Sequence, residues 1–352
     1  MENIKKITAK ITGLDTGLME ETQKRLDNLT KPLGSLGRLE ELAKQICGIT
    51  GKDNPCLGNK VIFTLAADHG VTDEGVSAYP KEVTAQMVYN FLAGGAGINV
   101  LANHVGARVV IVDMGVASDL RPDPRLVIKK VAYASKNMTK GPAMTRDEAI
   151  KAVSAGIEVF ENEFRRGADI IGTGEMGIGN TTAASAITAV FTGKPIEEIT
   201  GRGAGLDDKG LTRKIAVIRK ALAVNKPDPK DSLDVLAKVG GFEIAGLTGI
   251  ILAAAARKVP VVIDGFISGS AALIAYHLEP KVKDYMIAAH NSVEGGHKYI
   301  LEHIGLKPLL DLNLRLGEGT GAALAISLVD AAVKILTQMA TFQSANVSEK
   351  KE

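Results

Sequence analysis

Five short, β-rich apolar runs recur along the chain, each followed by a helical pattern, and this alternation limits the possible folds more than any other feature. The runs are Lys60–Ala66 (KVIFTLA), Arg108–Asp113 (RVVIVD), Ala168–Gly172 (ADIIG), Val259–Asp264 (VPVVID) and Tyr285–Ala289, with a weaker candidate over Leu126–Tyr133. Continuous apolar runs, rather than strict alternation, mark strands covered on both faces. The chain is therefore expected to be α/β, with a parallel sheet flanked by helices. The predicted helices include Thr145–Arg166, Thr181–Phe191, Asp207–Val224, the Ala-rich Phe242–Ala256, Ser268–Tyr276 and Val293–Ile304. No strand precedes Lys60. Met19–Leu29 and Ser35–Ile49, the latter with Ser35 as its N-cap, read as an accessory helical layer.

Charge and cysteine usage remove several function classes. A formal net charge of +2, with charged residues interspersed, argues against a nucleic-acid footprint. Cys47 and Cys56 form neither a CxxC nor a disulfide framework, which suits a reducing, cytoplasmic setting. The six histidines are scattered without an HExxH, so neither metal catalysis nor any cofactor is expected. The start of the chain lacks the apolar core of a signal peptide. The apolar run Ile244–Ala256 falls short of the roughly 20 residues of a membrane span, so the chain is expected to be soluble.

Two stretches could carry chemistry. Gly172 to Thr182 (GTGEMGIGNTT) joins a strand to a helix, where exposed amides and a helix N-terminus make an anion site. The same residues would also suit a tight turn with Asn180, Thr181 or Thr182 as cap. The stretch is not a P-loop, since no GK[ST] follows, and its literal GxGxxG at Gly172, Gly174 and Gly177 lacks the spacing of a dinucleotide site. In the second stretch, LRLGEGTGAAL, Glu318 lies between glycines at the expected start of the last helix. A carboxylate there suits the helix dipole, and equally suits a base at the mouth of a pocket.

Further polar groups stand after predicted strands, at the edge where open α/β sheets bind ligands. They include Asp68-His69, Asp264 to Ser268 and His290-Asn291-Ser292, with Gly201 to Gly205 leading into a helix that bears Lys209, Arg213 and Lys214. Neither RVVIVD nor VPVVID carries the adjacent pair of acids that holds ribose hydroxyls and magnesium in pyrophosphate-using phosphoribosyltransferases.

Taken together, KPLGSLGRLE (31–40), ADHGVTDEGVSAYPKEVTAQM (67–87), GEMGIGNTT (174–182), DGFISGSAAL (264–273) and LNLRLGEGTGAAL (312–324) resemble the nicotinate-nucleotide–dimethylbenzimidazole phosphoribosyltransferases of cobalamin lower-ligand synthesis. The resemblance implies a Rossmann-like sheet in a large domain over residues 56–304, a small helical domain from 1–55 and about 305–352, and a homodimer. It implies transfer of phosphoribose from nicotinate mononucleotide to 5,6-dimethylbenzimidazole, with Glu318 as general base. The loop with Gly177, Ile178, Gly179, Asn180 and Thr181 would hold phosphate and ribose. Glu175 and Lys214 would lie towards nicotinate, while Tyr79, Gln86, Met87 and Leu316 would line the benzimidazole slot. Gly203, Asp264 and Ser292 complete the implied substrate-binding set; apart from the resemblance, the Gly, Ser and Pro content of the 72–80 loop suggests that it closes the site. Two other readings stand beside this one: a different acceptor base, purine-like or phenolic, and a non-catalytic nucleotide sensor. Glu318 together with an intact glycine loop argues against the sensor.

Overall fold

The computed structural model describes residues 1–348. Its sheet has six parallel strands: β1 (Lys60–Ala67), β2 (Ala107–Gly115), β3 (Leu126–Ile128), β4 (Ile170–Met176), β5 (Val261–Ile263) and β6 (Met286–Ala288). Their order is β3-β2-β1-β4-β5-β6, every neighbouring pair parallel. This is the doubly wound Rossmann order, in which the chain reverses its direction of travel across the sheet between β1 and β4. A crevice forms at such a reversal, beyond the carboxyl ends of the strands. The expected α/β class and parallel sheet are therefore present.

Side-chain alternation along β1 sets the two layers. Leu65 faces helix Phe242–Ala256, where a Cβ on Gly246 would lie 2.6 Å from Leu65 Cδ2. Ile62 faces the opposite way, with Ala322 and Ile326 of helix Thr320–Gln338 packed over the neighbouring Gly172. Phe242–Ala256 is buried from Phe242 to Ala255 and packs against Arg146–Arg165, so its all-round apolar sequence reflects a helix sandwiched between layers. Thr320–Gln338 has the length and hydropathy of a membrane span. It lies instead across β1, β4 and β5, with Ile326 and Val329 fully buried.

The two ends of the chain meet. Helix Arg38–Thr50 packs on Thr320–Gln338, and Leu29 pairs with Thr341 in an antiparallel bridge. The helix expected from Ser35 begins later, at Arg38, after Gly37, and Ser35 does not cap it. There Glu40 turns back to accept the Leu36 N–H and to pair with buried Lys31. Helices Glu2–Thr8 and Ser232–Val239 were not legible in the sequence. Each is a short segment buried on one side against larger helices.

Candidate active site

A cavity of about 650 Å³ opens in the crevice between the ends of β1 and β4. The sequence places β4 there and stops it. Gly174 lies within the strand, and not in a loop after Gly172 as the sequence suggested, because it faces a close neighbour. A Cβ on Gly174 would fall 2.5 Å from the carbonyl carbon of Glu318. β4 therefore runs on to Met176, and only Gly177, Ile178 and Gly179 form the turn. Gly179, at φ +92°, takes the left-handed conformation at the N-cap of helix Asn180–Thr192. None of Asn180, Thr181 and Thr182 caps that helix, which has no side-chain cap. The turn, Asn180 and Thr181 all line the cavity, so a helix N-terminus opens onto it.

Glu175, the last residue but one of β4, points into the cavity while buried. Its Oε2 accepts a hydrogen bond from Asn180 Nδ2. Burial, with the neighbouring charges of Asp264 and Glu243, pushes its carboxyl up to about 8. At neutral pH Glu175 is thus a protonated acid able to donate.

Glu318 sits opposite. Its backbone is left-handed, at φ +64°, a conformation costly for a residue with a side chain. Both main-chain groups hold it there: its N–H donates to Glu175 O at 3.3 Å, and its C=O accepts from Thr64 Oγ1 at 2.9 Å. Its carboxylate accepts the Ile98 N–H at 3.0 Å, in the first turn of helix Gly97–Val105. Burial raises the Glu318 carboxyl above the ordinary value, and the Ile98 bond acts against that rise.

Glu318 does not open the last helix, as the sequence suggested. Thr320–Gln338 starts two residues later, with Gly319 at its N-cap. The acid at that helix's positive end is Asp264, which accepts from Gly319 N at 3.2 Å and Ala322 N at 2.9 Å. Asp264 lies behind the cavity wall, fixing the turn that carries Glu318.

The other sequence candidates divide in the same way. Gly203, Ser292, Tyr79, Met87 and Leu316 line the cavity. Tyr79 and Leu316 are 53% and 61% exposed, so apolar surface stands open at the rim. Lys214 is fully buried outside the wall, its Nζ donating to Thr181 Oγ1 at 2.7 Å and to Gly201 O at 3.2 Å. Burial lowers its ammonium to about 8, against the charge of Glu294. Gln86 is exposed on the outer side of helix Val83–Ala93 and does not reach the cavity wall.

Two cavity residues escaped sequence reasoning as candidates: Glu294 accepts the Gly203 N–H at 2.9 Å, and Arg315 Nη1 donates to Gly203 O at 3.1 Å. His290, expected at this edge from its place after a strand, lines the cavity and lies buried 3.8 Å from Asp264 Oδ1. Glu294 and Arg315 together fasten the 201–205 loop to the cavity. His290, Ser292 and Glu294 stand at alternate positions just after β6, a spacing that could have flagged one functional edge.

A phosphoribosyltransferase family model matches residues 11–347. The nicotinate-nucleotide–dimethylbenzimidazole phosphoribosyltransferase of Desulforudis audaxviator is 61% identical over 351 residues, covering 100% of this chain and 99% of the relative. Its namesake from Geobacter metallireducens is 60% identical over 97% of each chain. The crystal structure of CobT from Thermus thermophilus superposes with a TM-score of 0.92 at 46% identity, covering 95% of this chain and 100% of that one. The reversal-point cavity, the glycine turn and the full-length matches lead to one assignment: the chain belongs to the nicotinate-nucleotide–dimethylbenzimidazole phosphoribosyltransferase family, and is a pentosyltransferase.

Proposed function

We propose that the enzyme transfers phosphoribose from nicotinate mononucleotide to 5,6-dimethylbenzimidazole, giving α-ribazole 5′-phosphate and nicotinate, with Glu318 as general base. The observation that carries this reading is the placement of the Glu318 carboxylate. It is buried, raised in proton affinity and set beside the apolar rim of Tyr79, Met87 and Leu316, where a flat aromatic acceptor would stand.

The chemistry asks for one base. An unprotonated acceptor nitrogen attacks the anomeric carbon as the bond to the pyridinium nitrogen breaks, and that electron pair neutralises the departing ring. The leaving group therefore needs no acid. Positive charge develops on the acceptor ring, whose other N–H proton passes to Glu318. In-line displacement requires the two bases on opposite faces of the ribose, which inverts the β donor to the α product. The turn at Gly177, Ile178 and Gly179 with helix Asn180–Thr192 suits the 5′-phosphate, and Gly203 and Ser292 flank it. Protonated Glu175 suits a hydrogen bond to the nicotinate carboxylate, where an ionised acid would repel it. Lys214 acts from behind, through Thr181 and the 201–205 loop.

The deciding variant is Glu318→Gln, which keeps the shape and the hydrogen-bond acceptor but removes the base. Binding of both substrates by calorimetry is expected to persist while kcat falls roughly 100- to 10,000-fold. Full turnover, measured as nicotinate release, would overturn the role of Glu318. Offering dimethylbenzimidazole alongside purine and phenolic acceptors, with products read by mass spectrometry, tests the acceptor assignment. The homodimer rests on the family resemblance and the cytoplasmic location on cysteine usage, and sedimentation mass tests the first.

A further inference from the structure

We propose that His277 and His303 form a bidentate surface site for a divalent transition-metal ion of the Ni²⁺ or Cu²⁺ type. The site is separate from the reaction, and the proposal does not depend on the reading of the active site. His277 is in the last turn of helix Phe266–Leu278 and His303 in the last turn of helix Gly296–Ile304, and these helices pack together. Phe266 lines the catalytic cavity at the other end of its helix, a span of about 18 Å for 13 residues at the helical rise.

The two Nε2 atoms approach to 2.9 Å. Two metal–nitrogen bonds of about 2.05 Å meeting at a right angle place their nitrogens about 2.9 Å apart, whereas a tetrahedral angle needs about 3.3 Å. The spacing therefore fits adjacent positions of a square-planar or octahedral ion. Without metal, one Nε2–H donates to the lone pair of the other. A tautomer shift of that one proton to Nδ1 frees both lone pairs and leaves both rings neutral.

Ring orientation is set in advance. His277 stacks on Phe191 with centroids 4.1 Å apart, and Tyr276 meets His277 and His303 edge-on at 5.6 and 6.1 Å. These apolar walls fix the two ligands without supplying competing ones. Among the described residues, no group of three or more His, Cys, Asp or Glu forms a metal cluster. Water fills the other positions, giving an exchangeable ion that ties the C-terminal ends of two helices.

The test is calorimetric titration of tag-free, chelator-stripped enzyme with NiCl₂ and with CuCl₂ in a non-coordinating buffer. One ion per chain is expected. His277→Gln and His303→Gln should each weaken binding about tenfold or more, because a chelate is lost when either ligand is removed. Exposed His104 and Cys56 supply the controls: His104→Gln and Cys56→Ser should bind as the unaltered enzyme does. In thermal unfolding, Ni²⁺ should raise the Tm of the unaltered enzyme and leave that of His303→Gln unchanged. His303 is exposed, so this substitution leaves the core intact. Absence of binding to the unaltered enzyme, binding that survives His303→Gln, or binding that disappears in Cys56→Ser would each overturn the proposal.

Discussion

Glu318 Oε2 accepts the backbone N–H of Ile98 at 3.0 Å, so the candidate base stands at the positive end of helix Gly97–Val105 and not of the helix that follows it in sequence. The arrangement balances two demands. Burial raises the carboxyl's proton affinity, and the Ile98 amide, at the positive end of its helix, acts against that rise.

Ile98→Pro tests this balance, because proline is tolerated in the first turn of a helix yet deletes this N–H. Removing the bond that lowers the pKa must raise it, so more of Glu318 is protonated at a given pH. The acidic limb of the kcat/KM profile should move to higher pH. Ile98→Val, which keeps the N–H and most of the buried side chain, should leave the limb in place. An unmoved limb in the proline variant would remove helix Gly97–Val105 from the account of the base.

Glu175 gives a prediction of stability against pH. Its carboxyl titrates at about 8 when folded and near the ordinary value of 4.5 when free. Between those values the folded state binds a proton that the unfolded state has released, so this group makes stability fall as pH rises through that window. Glu175→Gln removes the dependence and keeps an acceptor for Asn180. The Tm advantage of the variant over the parent should therefore grow from about pH 5 to about pH 8 and then level off. The KM for nicotinate mononucleotide should rise above about pH 8 in the parent, as Glu175 ionises beside an anionic ligand, and not in the variant. Lys214 also titrates at about 8, and a rise shared by Glu175→Gln would assign the effect to it instead.

The sequence disclosed those elements whose causes are local. β1 was legible because a strand covered on both faces is apolar throughout. Helix Arg146–Arg165 was legible because the acidic pair Asp147 and Glu148 in its first turn suits the helix dipole. Phe242–Ala256 was read to the residue, from a hydrophobic stretch with no polar face. What escaped depends on residues far apart in the chain. Nothing local could show that Asp264 takes the helix end expected for Glu318, or that Ile98 receives the carboxylate thereby released. Gln86 shares its helix with Met87, and only the direction of that helix puts Met87 in the cavity and Gln86 outside it. Gly174 suggested a loop because glycine weakens strands, whereas here it admits another backbone.

That close approach yields the sharpest contrast between two similar substitutions. Gly172 and Gly174 lie on the same face of β4, but a Cβ meets different neighbours at each. On Gly172 it would press on Ile62 Cδ1 at 2.6 Å and Ala322 Cβ at 3.0 Å, side-chain atoms of the core. On Gly174 it would meet the Glu318 carbonyl carbon at 2.5 Å and Gly319 N at 2.6 Å, backbone atoms that cannot rotate away. Both alanine variants should lose about 1–3 kcal/mol of stability through overpacking. Only Gly174→Ala must also push aside the turn that aims the Glu318 carboxylate, and a displacement of about 1 Å at a reacting group can cost about 100-fold in rate. Denaturant unfolding and kcat measured on both variants should therefore show matched losses of stability and a kcat deficit confined to Gly174→Ala. Equal kcat values would mean that the turn tolerates displacement, and that the left-handed conformation of Glu318 is not what positions the base.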